Sequence, residues 1–332
     1  MRILVTGAAG FLGSHVARHL HALGHSVLGV DSYDAATSMA LKQQRVASLL
    51  SPLGIQVLSQ DLSDYAATQT LLSDFRPEVI VHLAARPGVR TTEAATPYYI
   101  HSNLVAFTNV WSLAHATGVE LLLYASSSSV YGSSGRPGVQ LSEVETHPVP
   151  INLYGATKLA NEVIAGTRLA SSSLRTLGLR LFTLYGPWGR PDMLPLRAMQ
   201  ALISGRSLPL YGDGSAVRDF TYIDDAVSVI GQLLDWSLSS NGPWSEVVNV
   251  ADGSTATVKE YLSLMQRISG RRFSLQQHPA LSVEMSGTKA STSKLQSLIG
   301  HAKWTPLEEG LARTWEWFSH TDLPDDWDVL GP

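Results

Sequence analysis

Short runs rich in β-branched residues and leucine recur at residues 3–5, 27–30, 56–59, 79–83, 120–124 and 176–182. Segments that read as helices separate them. Strands that are apolar on both faces and alternate with helices predict βαβ units and a parallel sheet covered on each side. The predicted fold class is therefore α/β, a doubly wound parallel sheet of Rossmann type. After Phe182 the pattern loosens into LYGPWGRPDMLP, then YGDGSAVRDF, a strand-like EVVNV and a polar stretch at 281–292. This shift predicts a main domain over residues 1–183 and a smaller second domain over 184–332, with the chain returning to the main sheet around 220–250.

Composition narrows the function. A chain of 332 residues with 44% apolar content can bury a large core. With 24 basic and 28 acidic residues, the net charge of −4 favours neither nucleic acid nor an anionic membrane as partner. A small molecule is the expected ligand. The chain has no cysteine, which excludes disulfides, thiolate metal sites and a thiol nucleophile. It opens directly into a strand-like run without a charged leader, and no apolar run approaches about 18 residues, so a soluble cytoplasmic protein is expected.

The first strand leads into TGAAGFLGSH, where Gly7, Gly10 and Gly13 allow backbone to approach a pyrophosphate at the start of a helix. Glycines in a tight strand-to-helix turn also serve packing alone. Asp31, at the end of the second strand, is placed to accept hydrogen bonds from an adenosine ribose. Its charge would repel the extra phosphate of NADP, and Ser32, Tyr33 and Asp34 offer no cation to hold one, so NAD is the expected cofactor.

Two further stretches carry chemistry. In ASSSSVYG, residues 125–132, four serines follow an apolar strand at the sheet edge where doubly wound folds bind ligands. In NLYGATKLANE, Tyr154 and Lys158 are four apart and share one helix face. A phenol ordinarily titrates near 10; an adjacent ammonium and a cationic nicotinamide would both favour its phenolate. The plain alternative is a packed tyrosine with a solvated lysine beside it.

The combination of TGAAGFLG, Asp31, HLAAR at 82–86, ASSSSVYG, YGATK and RLFTLYGPWGR resembles the extended short-chain dehydrogenase/reductase family in its sugar-nucleotide epimerase branch. The similarity spans nearly the whole chain. Within that branch FTLYG, PWGRPDM and VRDFTYIDD look most like the UDP-glucuronate 4-epimerases. The resemblance implies Ser127, Tyr154 and Lys158 as catalytic residues that oxidise and re-reduce C4 of a UDP-uronate with bound NAD, by way of a 4-keto sugar. It places Gly7, Gly10, Phe11, Leu12, Gly13, Asp31, Asp61, Leu62, Ala84, Ala85 and Asn103 at the cofactor, together with Tyr154 and Lys158. It implies a nucleotide-sugar-binding role for the second domain, and a homodimer through the family's two long helices, here about residues 97–116 and 153–168.

For the substrate, the resemblance implies Arg218 at the diphosphate and Tyr211 along the uridine. Family dehydratases carry an Asp-Glu pair after the catalytic hydroxyl; here those positions are Ser128 and Ser129, without an acid to drive elimination. Oxidising C4 of a glucuronate makes a β-keto acid, which loses carbon dioxide when its carboxylate rotates into line with the carbonyl π system. Ser128, Ser129 and Thr183 with the guanidinium of Arg190 could hold the carboxylate and prevent that rotation. Arg90 is a further substrate-contact candidate, its alternative being a solvated loop charge. One departure stands out: the arginine that relatives commonly carry in the late substrate loop is missing from QHPALSVEMSGTKAS, which leaves either weaker diphosphate recognition or another residue, such as Lys289, in its place.

Other residues read as packing. His15, His19, His21 and His25 have no carboxylate or cysteine companions suited to a metal, His82 ends a buried strand, and Trp304, Trp315 and Trp317 suit a core. No metal is expected. Competing readings are a 4-epimerase of another nucleotide sugar, such as UDP-glucose or a UDP-N-acetylhexosamine, and an NAD-binding regulator without catalysis. The intact trio Ser127, Tyr154 and Lys158 speaks against the regulator.

Overall fold

The computed structural model describes residues 1–34, 38–90, 92–167 and 173–324. Seven strands form the central sheet: β1 (Arg2–Thr6), β2 (Ser26–Asp31), β3 (Val57–Ser59), β4 (Val79–His82), β5 (Leu121–Ser127), β6 (Arg175–Leu181) and β10 (Ser245–Val250). Their order is β10-β6-β5-β4-β1-β2-β3, and every neighbouring pair is parallel. The chain starts in the middle, builds outward to β3, and then crosses back to lay β4 on the other side of β1. Loops at the carboxyl ends of β1 and β4 diverge there and open a crevice.

Period-two alternation divides the core between the two faces. Ile3, Val5, Leu121, Leu123, Leu177 and Leu179 bury against α1 (Phe11–Ala22), while Leu4, Ile80, Leu122 and Tyr124 point to the opposite layer. That layer includes α3 (Tyr65–Phe75), following α2 (Met39–Arg45) in the chain. The helix predicted over 97–116 is interrupted. α4 (Thr96–Ile100) passes through a π-helical turn, His101–Val105, before α5 (Ala106–Thr117). The helix predicted over 153–168 is α6 (Leu153–Gly166); Arg168 lies outside the described residues.

Beyond β6 the chain forms two small sheets. β7 (Thr183–Tyr185) pairs parallel with β9 (Val217–Tyr222), whose other edge takes β11 (Thr255–Thr257) antiparallel, and β8 (Leu208–Tyr211) pairs parallel with β12 (Leu275–His278). α7 (Leu194–Ser204) lies between β7 and β8 in the chain. α8 (Ile223–Ser239) buries Ile230, Leu233 and Leu234 in the same core as α1 and leads to β10, the edge strand of the main sheet. α9 (Val258–Ser269), α10 (Ser293–Ile299) and α11 (Leu307–His320) complete the described chain.

Candidate active site

The turn between β1 and α1 approaches its neighbours too closely for side chains. At Gly7, where φ is +69°, a Cβ would lie 2.8 Å from the Ala84 nitrogen, and at Gly13 it would lie 2.0 Å from the Gly7 carbonyl oxygen. Gly10 caps α1 without a side-chain hydrogen bond, so amides of the first turn are available to an anion. At the end of β2, buried Asp31 accepts from the Ala9 amide at 3.2 Å and the Tyr33 amide at 2.8 Å. A glycine cradle with an acid one strand away fits a dinucleotide.

Positions 32–34 supply no cation, as expected, but the fold brings one to this acid from further along the chain. Lys42 returns on α2 and places Nζ 3.1 Å from Asp31 Oδ1, donating also to the Asp34 carbonyl at 3.1 Å. The residues next to Asp31 do not reveal this pairing, because α2 brings the cation back from eleven residues downstream.

The four serines separate in space. Ser126 is buried and donates to Glu162 of α6, whose carboxylate also receives Nε and Nη2 of Arg180 at 2.9 and 2.8 Å. Ser127 closes β5, and its Oγ accepts the Ser129 amide at 3.1 Å, turning the chain into a short 3₁₀ segment that presents Ser128 and Ser129. α6 starts at Asn152, whose side chain accepts the Gly155 amide at 2.8 Å. Gly155 permits close contact here: a Cβ would lie 2.5 Å from the Ser129 carbonyl oxygen. Tyr154 thereby faces Ser127, and Lys158 lies one turn further along the same helix.

Electrostatics in this corner differ from the sequence expectation. Burial pushes the Tyr154 phenol above its usual range; the positive charge of Arg190 and a hydrogen bond from Ser127 oppose that rise. Lys158 Nζ lies 5.9 Å from the Tyr154 ring centre, and burial lowers its ammonium to about 8. Within the protein's own groups, Arg190 is thus the cation that chiefly favours the Tyr154 phenolate.

One cavity of about 860 Å³ joins the glycine turn to this corner. Its wall includes Gly7, Gly10, Phe11, Leu12, Gly13, Asp31, Asp61, Leu62, Ala84, Ala85, Ser127, Tyr154 and Lys158, and also Arg90, Ser128, Ser129, Thr183, Arg190, Tyr211 and Arg218. Asn103 is the exception among the candidates. It is buried on the π-helical turn, accepts the Arg86 amide at 2.7 Å, and donates to the Arg86 carbonyl and Thr157 Oγ1. Its amide is consumed in bracing the loop after β4 against α6, which accounts for its place behind the wall. Lys289 is likewise absent from the wall.

Several wall residues were not singled out by sequence. Arg45 is buried and donates to the carbonyls of Trp188 and Gly189 at 2.9 and 2.8 Å, so it holds the segment that carries Arg190. Trp188 has φ of +63°, a conformation unfavourable for a bulky residue. Arg190 itself donates through Nε to Asp192 at 3.1 Å. Arg197 and Glu284 also reach the cavity.

The histidine and tryptophan assignments agree with packing. His15 bonds the Phe11 carbonyl at 2.9 Å, with burial lowering it to about 4; His82 lies 2.9 Å from Thr6 Oγ1, with burial lowering it to about 3. Trp317 packs on Trp188, and Trp304 and Trp315 border the main core. Among the described residues, no cluster of three or more His, Asp or Glu could hold a metal, and no helix is long and apolar enough to cross a membrane.

The family model for the NAD dependent epimerase/dehydratase family matches residues 3–251. A probable UDP-glucuronate 4-epimerase of Rhizobium meliloti is 35% identical over 96% of this chain and 97% of its own length. UDP-glucuronate 4-epimerase 3 of Arabidopsis thaliana is 34% identical over 95% of this chain and 76% of its own length. The crystal structure of the Bacillus cereus UDP-glucuronic acid 4-epimerase, in complex with UDP-glucuronic acid and NAD, superposes with a TM-score of 0.85. It is 30% identical, over 96% of this chain and 99% of that one. Matching sequence, fold and glycine cradle together establish that this chain belongs to the NAD dependent epimerase/dehydratase family and is similar, within it, to the UDP-glucuronate 4-epimerases.

Proposed function

We propose that the protein is an NAD-dependent UDP-glucuronate 4-epimerase, forming UDP-galacturonate through a 4-keto sugar. The observation that carries this reading is a single cavity wall shared by Ser127, Tyr154 and Lys158 with Ser128, Ser129, Thr183 and Arg190. The glycine turn, Asp31, Asp61, Leu62, Ala84 and Ala85 would hold NAD, which when bound supplies a reversible hydride acceptor at C4. Tyr154 takes the proton of the 4-hydroxyl and later returns one to the 4-oxygen, Ser127 hydrogen-bonds that oxygen, and the Arg190 guanidinium chiefly, with the Lys158 ammonium as a second and more distant cation, favours the phenolate. Inversion requires the keto sugar to present its other face between the two transfers.

Ser128, Ser129, Thr183 and Arg190 hold the uronate carboxylate out of alignment with the C4 carbonyl, so the β-keto acid survives. Residues 1–183 serve mainly the cofactor and 184–332 mainly the nucleotide sugar. The proposal includes a cytoplasmic homodimer through the helices at 96–117 and 153–166. Tyr98 and Val163, exposed by 57% and 64% on those helices, support that interface. Sedimentation at twice 35.8 kDa is the expected result.

The test is incubation of purified protein with UDP-glucuronate and no added NAD, followed by separation of the sugars. UDP-galacturonate is expected, and Arg190→Ala should release a pentose product. Absence of turnover with any nucleotide sugar would overturn the enzyme reading, and a pentose from the unaltered protein would make it a decarboxylase.

A further inference from the structure

Part of the cavity wall is crowded with guanidinium groups. Arg90 donates through Nε to Glu284 Oε1 at 2.8 Å, and its guanidinium lies 4.4 Å from the Tyr211 ring centre. Arg218 approaches the other oxygen of the same carboxylate at 3.6 Å. Arg197, the fourth residue of α7, reaches the same cavity. Its Nε is buried without a hydrogen-bond partner, and it makes no ion pair among the described residues.

An unpaired buried guanidinium nitrogen is costly unless a ligand completes it. The surrounding charges identify the kind of ligand. Burial, then repulsion from Arg90, lowers the Arg197 guanidinium, with Tyr211, Asp192 and Glu284 opposing. Glu284 is one carboxylate facing three guanidiniums, which leaves a surplus of two positive charges beside Tyr211. Arg190 belongs to another neighbourhood, that of Tyr154 and Tyr99. A uronate carboxylate at Arg190 would therefore leave Arg197 and Arg90 unused. A diphosphate, with two negative charges and several acceptor oxygens, matches both the surplus charge and the planar donor geometry.

We infer that Arg197, together with Arg90, replaces the arginine missing from the late substrate loop and completes a diphosphate grip with Arg218. Glu284 holds the Arg90 and Arg218 forks in place. This assignment rests on the nucleotide-sugar reading above and names residues for its diphosphate. The absence of Lys289 from the cavity wall removes the alternative visible in the sequence.

The test is calorimetric titration of UDP and of uridine into NAD-loaded protein, unaltered and as Arg197→Met and Arg197→Lys. Loss of one charge-assisted contact should weaken UDP binding by about tenfold or more in Arg197→Met. Uridine affinity should change by less than about twofold, with Arg197→Lys intermediate. Unchanged NAD affinity checks that the variants are folded. UDP affinity unchanged in Arg197→Met, or an equal loss for uridine, would overturn the assignment while leaving the proposed enzyme intact. Failure of the unaltered protein to bind UDP would overturn both.

Discussion

Arg45 donates through Nε to the Trp188 carbonyl at 2.9 Å, joining residues 143 positions apart and placing a buried guanidinium behind the turn that ends in Arg190. Its second nitrogen reaches the Gly189 carbonyl, and among the described residues no carboxylate pairs with it directly. A buried cation that bonds only carbonyls holds a backbone shape, here one with Trp188 at φ +63°.

Arg45→Met keeps the stem but orphans those carbonyls. It should lower stability by about 1–3 kcal/mol in urea unfolding. If the turn positions Arg190, the variant should also shift products from UDP-galacturonate toward the decarboxylated pentose. Arg45→Lys should do so less, and an unaltered product ratio would separate stability from positioning.

Lys158 opposes stability for the sake of chemistry. Its folded value near 8 lies below the ordinary 10.5, so the buried ammonium destabilises the fold below about pH 8, and the penalty fades as pH rises toward 10.5. Lys158→Met should abolish turnover yet raise stability at pH 7 by up to about 3 kcal/mol, a gain that shrinks in denaturant titrations at higher pH.

The pair Glu162 and Arg180, with side chains 7% and 4% exposed, ties β6 and Ser126 of β5 to the helix carrying Tyr154. Arg180→Met leaves a buried carboxylate and should cost about 3–5 kcal/mol. The double change Arg180→Met with Glu162→Met should cost less than Arg180→Met alone, as a double-mutant cycle would register.

Acid stability follows from buried histidines. Burial holds His15 near 4 and His82 near 3, so the unfolded chain binds two protons more than the folded one between about pH 6.5 and 4. Asp219 works oppositely: burial raises its carboxyl to about 7, and the folded state retains a proton there. For these three groups the net is one proton, and stability should fall by about 1.4 kcal/mol per pH unit on acidification, measurable as the urea midpoint across that window. A flat midpoint would contradict it.

What the sequence determined by itself is what depends on short-range rules. Alternating apolar runs set the strands and their two buried faces, the glycines set the turn, and the four-residue spacing set Tyr154 and Lys158 on one helix face. Only the tertiary structure decided where long charged side chains meet. Lys42 reaches Asp31, Arg45 reaches Trp188, and Arg197 arrives near Glu284 because helices and loops far apart in the chain converge on one cavity. It also turned Asn103 inward, where backbone groups of the loop after β4 claimed its amide. The serine run shows both levels at once. Local pattern placed four hydroxyls at a strand end, but the packing of α6 separated Ser126, held by Glu162, from Ser127, Ser128 and Ser129 on the cavity wall. Backbone geometry repeats with a period that a sequence displays, whereas the partners of a flexible charged side chain are chosen by whatever the fold brings within its reach.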